Sequence, residues 1–169
     1  MSNGIGGSTA DRELAKIESR RAQATPIDAA EYRARLERLR ALMRGAEVEA
    51  VFLYASTSLQ YFTGLKCYPS ERLHGAILRQ TGEPIYVCPA FEEAKTRAEI
   101  LLDGDFLLWQ EHESPTQSVI ETVSKCVSGG GLLAIDDQTP FFIASRLQEA
   151  SSNLQVVSAE AMIAECRRV

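Results

Sequence analysis

The chain reads as one α/β domain, a three-layer-like sandwich built on a mixed, mainly parallel sheet. Three observations predict this. Strand-sized apolar runs alternate with amphipathic helical stretches from about residue 27 onward. One pair of runs, Gly75–Arg79 and Ile85–Cys88, is joined by Thr81-Gly-Glu-Pro84, which marks an antiparallel hairpin within the sheet. Finally, 45% of the 169 residues are hydrophobic, enough to fill the core of a single domain.

Residues 1–26 are expected to form a flexible N-terminal tail with a short charged helix between Asp11 and Ala24, whose apolar stripe (Leu14, Ile17) is thin. The domain proper spans 27–169. Its first helix starts at Asp28, which can cap the amide three residues on while Glu31 returns the favour. Tyr32, Leu36, Leu39 and Met43 share one face, and Gly45 suits the left-handed position after the helix. Ala50–Tyr54 is a buried strand. After the hairpin, Pro89–Leu102 has helical spacing, with Phe91, Ala94, Ala98, Leu101 and Leu102 expected to face inward. Phe106–Trp109 is the next strand, and Ser114-Pro-Thr-Gln117 is a capping box with Pro at the first helical position. A strand at Gly131–Ile135, a helix at Pro140–Ala150 capped by Thr139, a short strand at Leu154–Val157 and a closing helix at Ala159–Arg168 complete the order.

Composition removes several classes of function. Charged residues make up 24% and the net charge is −5, with no long basic run, so neither a nucleic-acid nor an anionic membrane surface is expected. The longest apolar runs are far too short to span a bilayer. The first eight residues lack the charged and apolar regions of a signal peptide, so a cytoplasmic setting is the expectation. Cys67, Cys88, Cys126 and Cys166 are scattered without zinc-ligand spacing and read as thiols that behave as small hydrophobes.

Candidate sites are few. Asp136-Asp137 is the best carboxylate pair; it sits at a strand end, where α/β ligand sites lie, and it equally fits the turn before the Thr139-Pro140 helix start. Gly129-Gly-Gly131 follows a helix and precedes a strand, the wrong order for a phosphate cradle, so it reads as a C-cap and turn. Trp109-Gln-Glu-His112-Glu113 could supply a base with carboxylate orienters, but its place between a strand end and a helix cap fits an ordinary loop. No Ser lies in a nucleophile elbow, and no catalytic or metal-ligating residue stands out. What remains is Tyr61-Phe-Thr-Gly64 followed by Arg72 and His74. An Arg beside aromatic residues (Tyr61, Phe62, Tyr68) suits bidentate recognition of a carboxylate, and it equally suits a surface Arg next to an edge-strand His.

A helix bearing Arg33, Arg35, Leu36, Leu39 and Met43 leads into Val48-Glu-Ala-Val-Phe-Leu53, then Ser58-Leu-Gln-Tyr-Phe-Thr-Gly64. An Arg-bearing strand is expected next, then Gly82-Glu-Pro84, then Trp109 before Ser114-Pro115. Together these resemble the N-terminal domain of the creatinase, prolidase and Xaa-Pro aminopeptidase family, over roughly Ile27 to Val169. The resemblance implies a non-catalytic domain of a metal-dependent peptidase or related C–N hydrolase. The catalytic "pita-bread" domain, with two divalent ions (Mn, Co or Zn), is absent from this sequence, so no cofactor is expected here. The resemblance further implies partners: the chain's own catalytic domain, and a second subunit in a homodimer. Arg72 and His74 are the positions it places at the partner subunit's active site, facing a small peptide or small amide substrate, with Tyr61 and Phe62 packing. Pro69, Ser70 and Glu71 stand where the family often has aromatic residues, which leaves the substrate open. The alternative within the same family is a peptide- or histone-binding module without catalysis.

Overall fold

Asp28 caps the first long helix as expected: its carboxylate accepts from the Glu31 amide at 2.9 Å. A computed structural model describes residues 6–127 and 130–168. The start of the expected tail, Ser128-Gly129 and Val169 lie outside the described residues. The elements are α1 (Ala10–Leu14), α2 (Ala29–Gly45), β1 (Val48–Tyr54), α3 (Thr57–Thr63), β2 (Gly75–Arg79), β3 (Ile85–Pro89), α4 (Glu93–Glu99), β4 (Asp105–Trp109), α5 (Pro115–Ser124), β5 (Gly131–Ile135), α6 (Phe141–Ala150), β6 (Leu154–Ser158) and α7 (Glu160–Arg167).

The six strands form one sheet in the order β4-β3-β2-β1-β5-β6. β2 pairs antiparallel with β1 and β3, while the β3–β4, β1–β5 and β5–β6 pairs are parallel. Two cores sandwich the sheet. On one face Val51, Leu53, Leu78 and Tyr86 meet α2, α3 and α7 through Leu36, Leu39, Leu59, Phe62 and Ile163. On the other, Phe52, Tyr54, Ile77 and Val87 meet α5 and α6 through Val119, Ile120, Ile143 and Leu147. Each such side chain contributes about 1.5–3 kcal/mol relative to an exposed one. Successive β1 residues alternate between the two cores, as the pleat demands. Val48 joins the first core because the β1–β5 register shifts between Val48 and Ala50.

Several local expectations fail for physical reasons. The charged segment at 11–24 yields only α1 and a 3₁₀ turn at Arg21–Gln23, with Leu14 and Ile17 exposed and nothing to pack on. Glu31 does not close a capping box; its carboxylate takes the Arg35 Nε instead, at 2.9 Å. Gly45 is the last helical residue of α2, and the left-handed position falls on Glu47 at φ 53°. The helix α3, which carries Tyr61-Phe62, was not among the expected elements; it is started by the Ser56 hydroxyl and ended by Gly64 at φ 78°. A side chain at Gly64 would also strike Leu101 at 2.6 Å. The 89–102 helix shrinks to a 3₁₀ turn plus α4; of the five residues expected to face inward only Leu102 is buried, while Phe91, Ala94, Ala98 and Leu101 are exposed and Thr96 turns in instead. α5 ends at Ser124, short of the glycines, so they do not cap it. Thr139 does not cap α6, which starts after Pro140; its hydroxyl is buried and finds no partner among the described residues.

Candidate functional site

Because β2 alone runs against the other strands, the carboxyl ends of β1, β3, β4, β5 and β6 share one rim with the amino end of β2. Arg72 and His74 immediately precede β2 and therefore sit on this rim. Leu73 between them is buried in the α5–α6 core, and its carbonyl accepts from the Trp109 indole N–H at 3.0 Å. The Tyr54 hydroxyl accepts from the Ser70 amide at 3.0 Å and donates to the Ser70 carbonyl at 2.7 Å, pinning the loop from the β1 end.

The two predicted site residues occupy different environments. Arg72 keeps 40% of its side chain exposed. Its Nε donates to Glu111 and its Nη1 to Glu71, both at 2.8 Å, and its guanidinium lies 5.5 Å from the centre of the Phe91 ring. The aromatic partner is thus Phe91, not Tyr61, Phe62 or Tyr68. The Glu111 hydrogen bond raises the Arg72 pKa further above its ordinary value. His74 is only 7% exposed, with Nε2 3.5 Å from a Glu92 carboxylate oxygen. Burial lowers its pKa, while the nearby Glu92 charge opposes that shift. Tyr61 and Phe62 pack edge to face, with Phe62 fully buried. Tyr61 reaches the Cys166 carbonyl on α7 at 2.8 Å, and the Arg35 and Arg167 guanidinium groups lie 4.3 and 5.3 Å from its ring centre.

Glu111 lies in the loop after β4, within the Trp109–Glu113 stretch; its pairing with Arg72 was not legible in the sequence because the two lie 39 residues apart. Asp136 forms the expected turn, its carbonyl accepting from Thr139 N at 2.8 Å. Its carboxylate does more. At 1% exposure it accepts from the Ser56 hydroxyl and from the Gln138 amide at 3.0 Å, while Ser56 caps α3. Asp137 takes the Ser158 hydroxyl instead, so the pair does not converge on one point.

Among the described residues no group of three or more His, Cys, Asp or Glu side chains is placed to hold a metal ion, and no helix is long and apolar enough to cross a membrane. Cys67, Cys88, Cys126 and Cys166 are free thiols, with Cys126 exposed and Cys88 and Cys166 buried. The residues present do not fit a dinuclear hydrolytic centre.

Fold and rim together define an α/β/α domain whose polar groups gather at one end of a mixed sheet. The chain belongs to the Creatinase/Prolidase N-terminal domain family, which matches residues 35–169. It is 27% identical over 136 residues to YkvY of Bacillus subtilis (strain 168), a chain that carries a dipeptidase name; the match covers 80% of this chain and 37% of that one. It is 29% identical over 92 residues to the Xaa-Pro dipeptidase of Lactobacillus delbrueckii subsp. lactis, covering 53% and 24%. The chain therefore spans little more than a third of YkvY and about a quarter of the second relative. Among solved structures, dipeptidase PepE from Mycobacterium ulcerans aligns with TM-score 0.73 at 22% identity, over 85% of this chain and 38% of that one. A dipeptidase domain from Streptococcus thermophilus, solved by itself, aligns with TM-score 0.65 at 20% identity over 79% of this chain and 98% of the other. These likenesses establish the shared fold.

Proposed function

We propose that this domain serves a metal-dependent Xaa-Pro peptidase, prolidase- or aminopeptidase-like, or a creatinase-like hydrolase. In that role it supports a homodimer and helps select substrate at the partner subunit's active site. Hydrolysis then belongs to a separate catalytic domain holding two divalent ions, in a cytoplasmic protein. The peptidase names of the sequence relatives favour this reading over a peptide- or histone-binding module.

The observation that carries the proposal is Arg72 itself. Its guanidinium is held on the rim by two carboxylates and an aromatic face, yet remains 40% exposed. A positioned guanidinium recognises a carboxylate through two parallel N–H bonds. Nε and one Nη1 N–H are engaged, which leaves three of the five guanidinium N–H groups to receive a substrate carboxylate along the Nη1–Nη2 edge. His74, two residues on, offers a neutral imidazole to the same rim.

The test uses the full-length protein with a prolyl dipeptide. Arg72→Ala is expected to raise KM or lower kcat with the fold intact by circular dichroism. Arg72→Lys is not expected to restore activity, because an ammonium lacks the planar fork. Unchanged kinetics in Arg72→Ala would sink the substrate role.

A further inference from the structure

Between the loop of residues 64–74 and α4 lies a cavity of about 550 Å³. That volume is within the range of small-ligand sites and exceeds what a single ion needs. His74 forms part of its wall. Being 93% buried, the imidazole is a polar group removed from bulk water, and its nearest charged neighbour among the described residues is Glu92 at 3.5 Å. That separation is too long for a strong hydrogen bond, so the ring keeps bonding capacity for an occupant.

The other walls carry charge of both signs. Glu92 and Glu99 line the cavity together with Lys66 and Lys95. The charges also reach its inner wall: Glu99 and Lys95 act in opposite directions on the half-buried Cys67 thiol, and Glu92 and Lys95 act likewise on His74. A cavity lined by one sign concentrates ions of the other. Here two acids and two bases share the lining, which complements a molecule that is itself dipolar. Tyr68, 86% exposed, adds an aromatic surface to the lining.

We infer that this cavity binds a small zwitterion, an α-amino acid or a dipeptide with free ends, its carboxylate on Lys66 and Lys95 and its ammonium on Glu92 and Glu99. The site belongs to this chain alone and needs neither a second subunit nor a metal ion. It shares His74 with the proposed substrate contact, so its use in a peptidase rests on that reading, whereas the binding itself does not.

The 169-residue chain is the material for the test, since a relative's domain of this fold was solved by itself. His74 and His112 are its two histidines, so a His112→Gln variant assigns the imidazole signals in proton–carbon NMR spectra. Glycyl-L-proline is titrated at fixed pH and ionic strength, in parallel with the doubly blocked N-acetyl-glycyl-L-prolinamide. The expected result is a saturable shift of the His74 ring with half-saturation on the order of 1 mM, typical of a weak polar site. The blocked probe should respond about tenfold more weakly, and Glu92→Gln and Lys95→Gln should each weaken binding by about as much, as for charge-assisted bonds. Circular dichroism checks that both variants fold. A His74 signal unmoved at roughly fifty times that concentration overturns the inference, as does an equal response to the blocked probe. Either result leaves the Arg72 reading standing, because that is judged by KM in the full-length protein.

Discussion

Asp136→Ala should be among the most damaging single substitutions on the rim. The carboxylate is 1% exposed and accepts two hydrogen bonds, from the Ser56 hydroxyl and the Gln138 amide. A hydrogen bond to a charged acceptor is worth about 1.5–3 kcal/mol, and removing the acceptor strands the buried Ser56 hydroxyl, while the backbone amide of exposed Gln138 can turn to water. Allowing for incomplete additivity, the loss is about 3 kcal/mol. Domains of this size have about 5–15 kcal/mol in total, so the chain should still fold, with a large deficit. With a urea slope of about 2 kcal/mol per molar, the midpoint should fall by about 1.5 M. Asp136→Asn keeps the shape but turns an N–H₂ toward one of the two donors, so about half the loss is expected. Urea unfolding followed by far-ultraviolet circular dichroism measures both. A double-mutant cycle with Ser56→Ala should show coupling above about 1 kcal/mol. A loss below about 0.5 kcal/mol for Asp136→Ala, or no coupling with Ser56, would refute the reasoning.

Two further outcomes follow from buried titratable groups. Burial lowers the His74 pKa relative to the unfolded chain, so protonation opposes folding. The stability held by neutral His74 is therefore present above about pH 6.5, the unfolded value, and lost as pH falls from there through the folded value. His74→Gln should flatten the decline in urea midpoint between pH 8 and pH 5, and an unaltered slope would count against it. Burial, with Glu99 adding and Lys95 opposing, pushes the Cys67 thiol up to about 11. Only about 0.1% is then thiolate at pH 8, so iodoacetamide should modify exposed Cys126 well before Cys67. Equal labelling rates by peptide mass mapping would contradict this.

Features set by neighbouring residues were legible in the sequence. Asp28 and Ser114 cap their helices, Gly82 takes φ 82° in the hairpin, and the strands fall close to their apolar runs. Features set by tertiary contact were not. Thr57–Thr63 is a seven-residue segment with two Thr and two aromatics, a weak helix former by itself. It is helical because Ser56, held by Asp136 from across the sheet, caps it and Phe62 is buried against the sheet. The 3.6-residue period of α4 identified an apolar stripe but not which way it faces. Thr96 turns inward, and Phe91 and Leu101 turn out toward the rim loop. The Arg72–Glu111 and Ser56–Asp136 pairs each join residues far apart in the chain, so only the strand order brings them together. Arg72 and His74 could be singled out as site residues only through the family resemblance, and the pairing that restrains Arg72 was not legible at all.

The central position of β1 has a consequence for how the chain acquires its shape. One side of β1 pairs with β2, some 25 residues on, and that meander can form early. Its other side pairs with β5, roughly eighty residues later, as in Val51 with Ala134. During synthesis from the amino end, a strand with the sequence Val-Phe-Leu-Tyr keeps an open hydrogen-bonding edge until β5 has emerged. The topology therefore predicts that β5 and β6 dock late onto β1, and that the interval before they do is when the open edge favours aggregation.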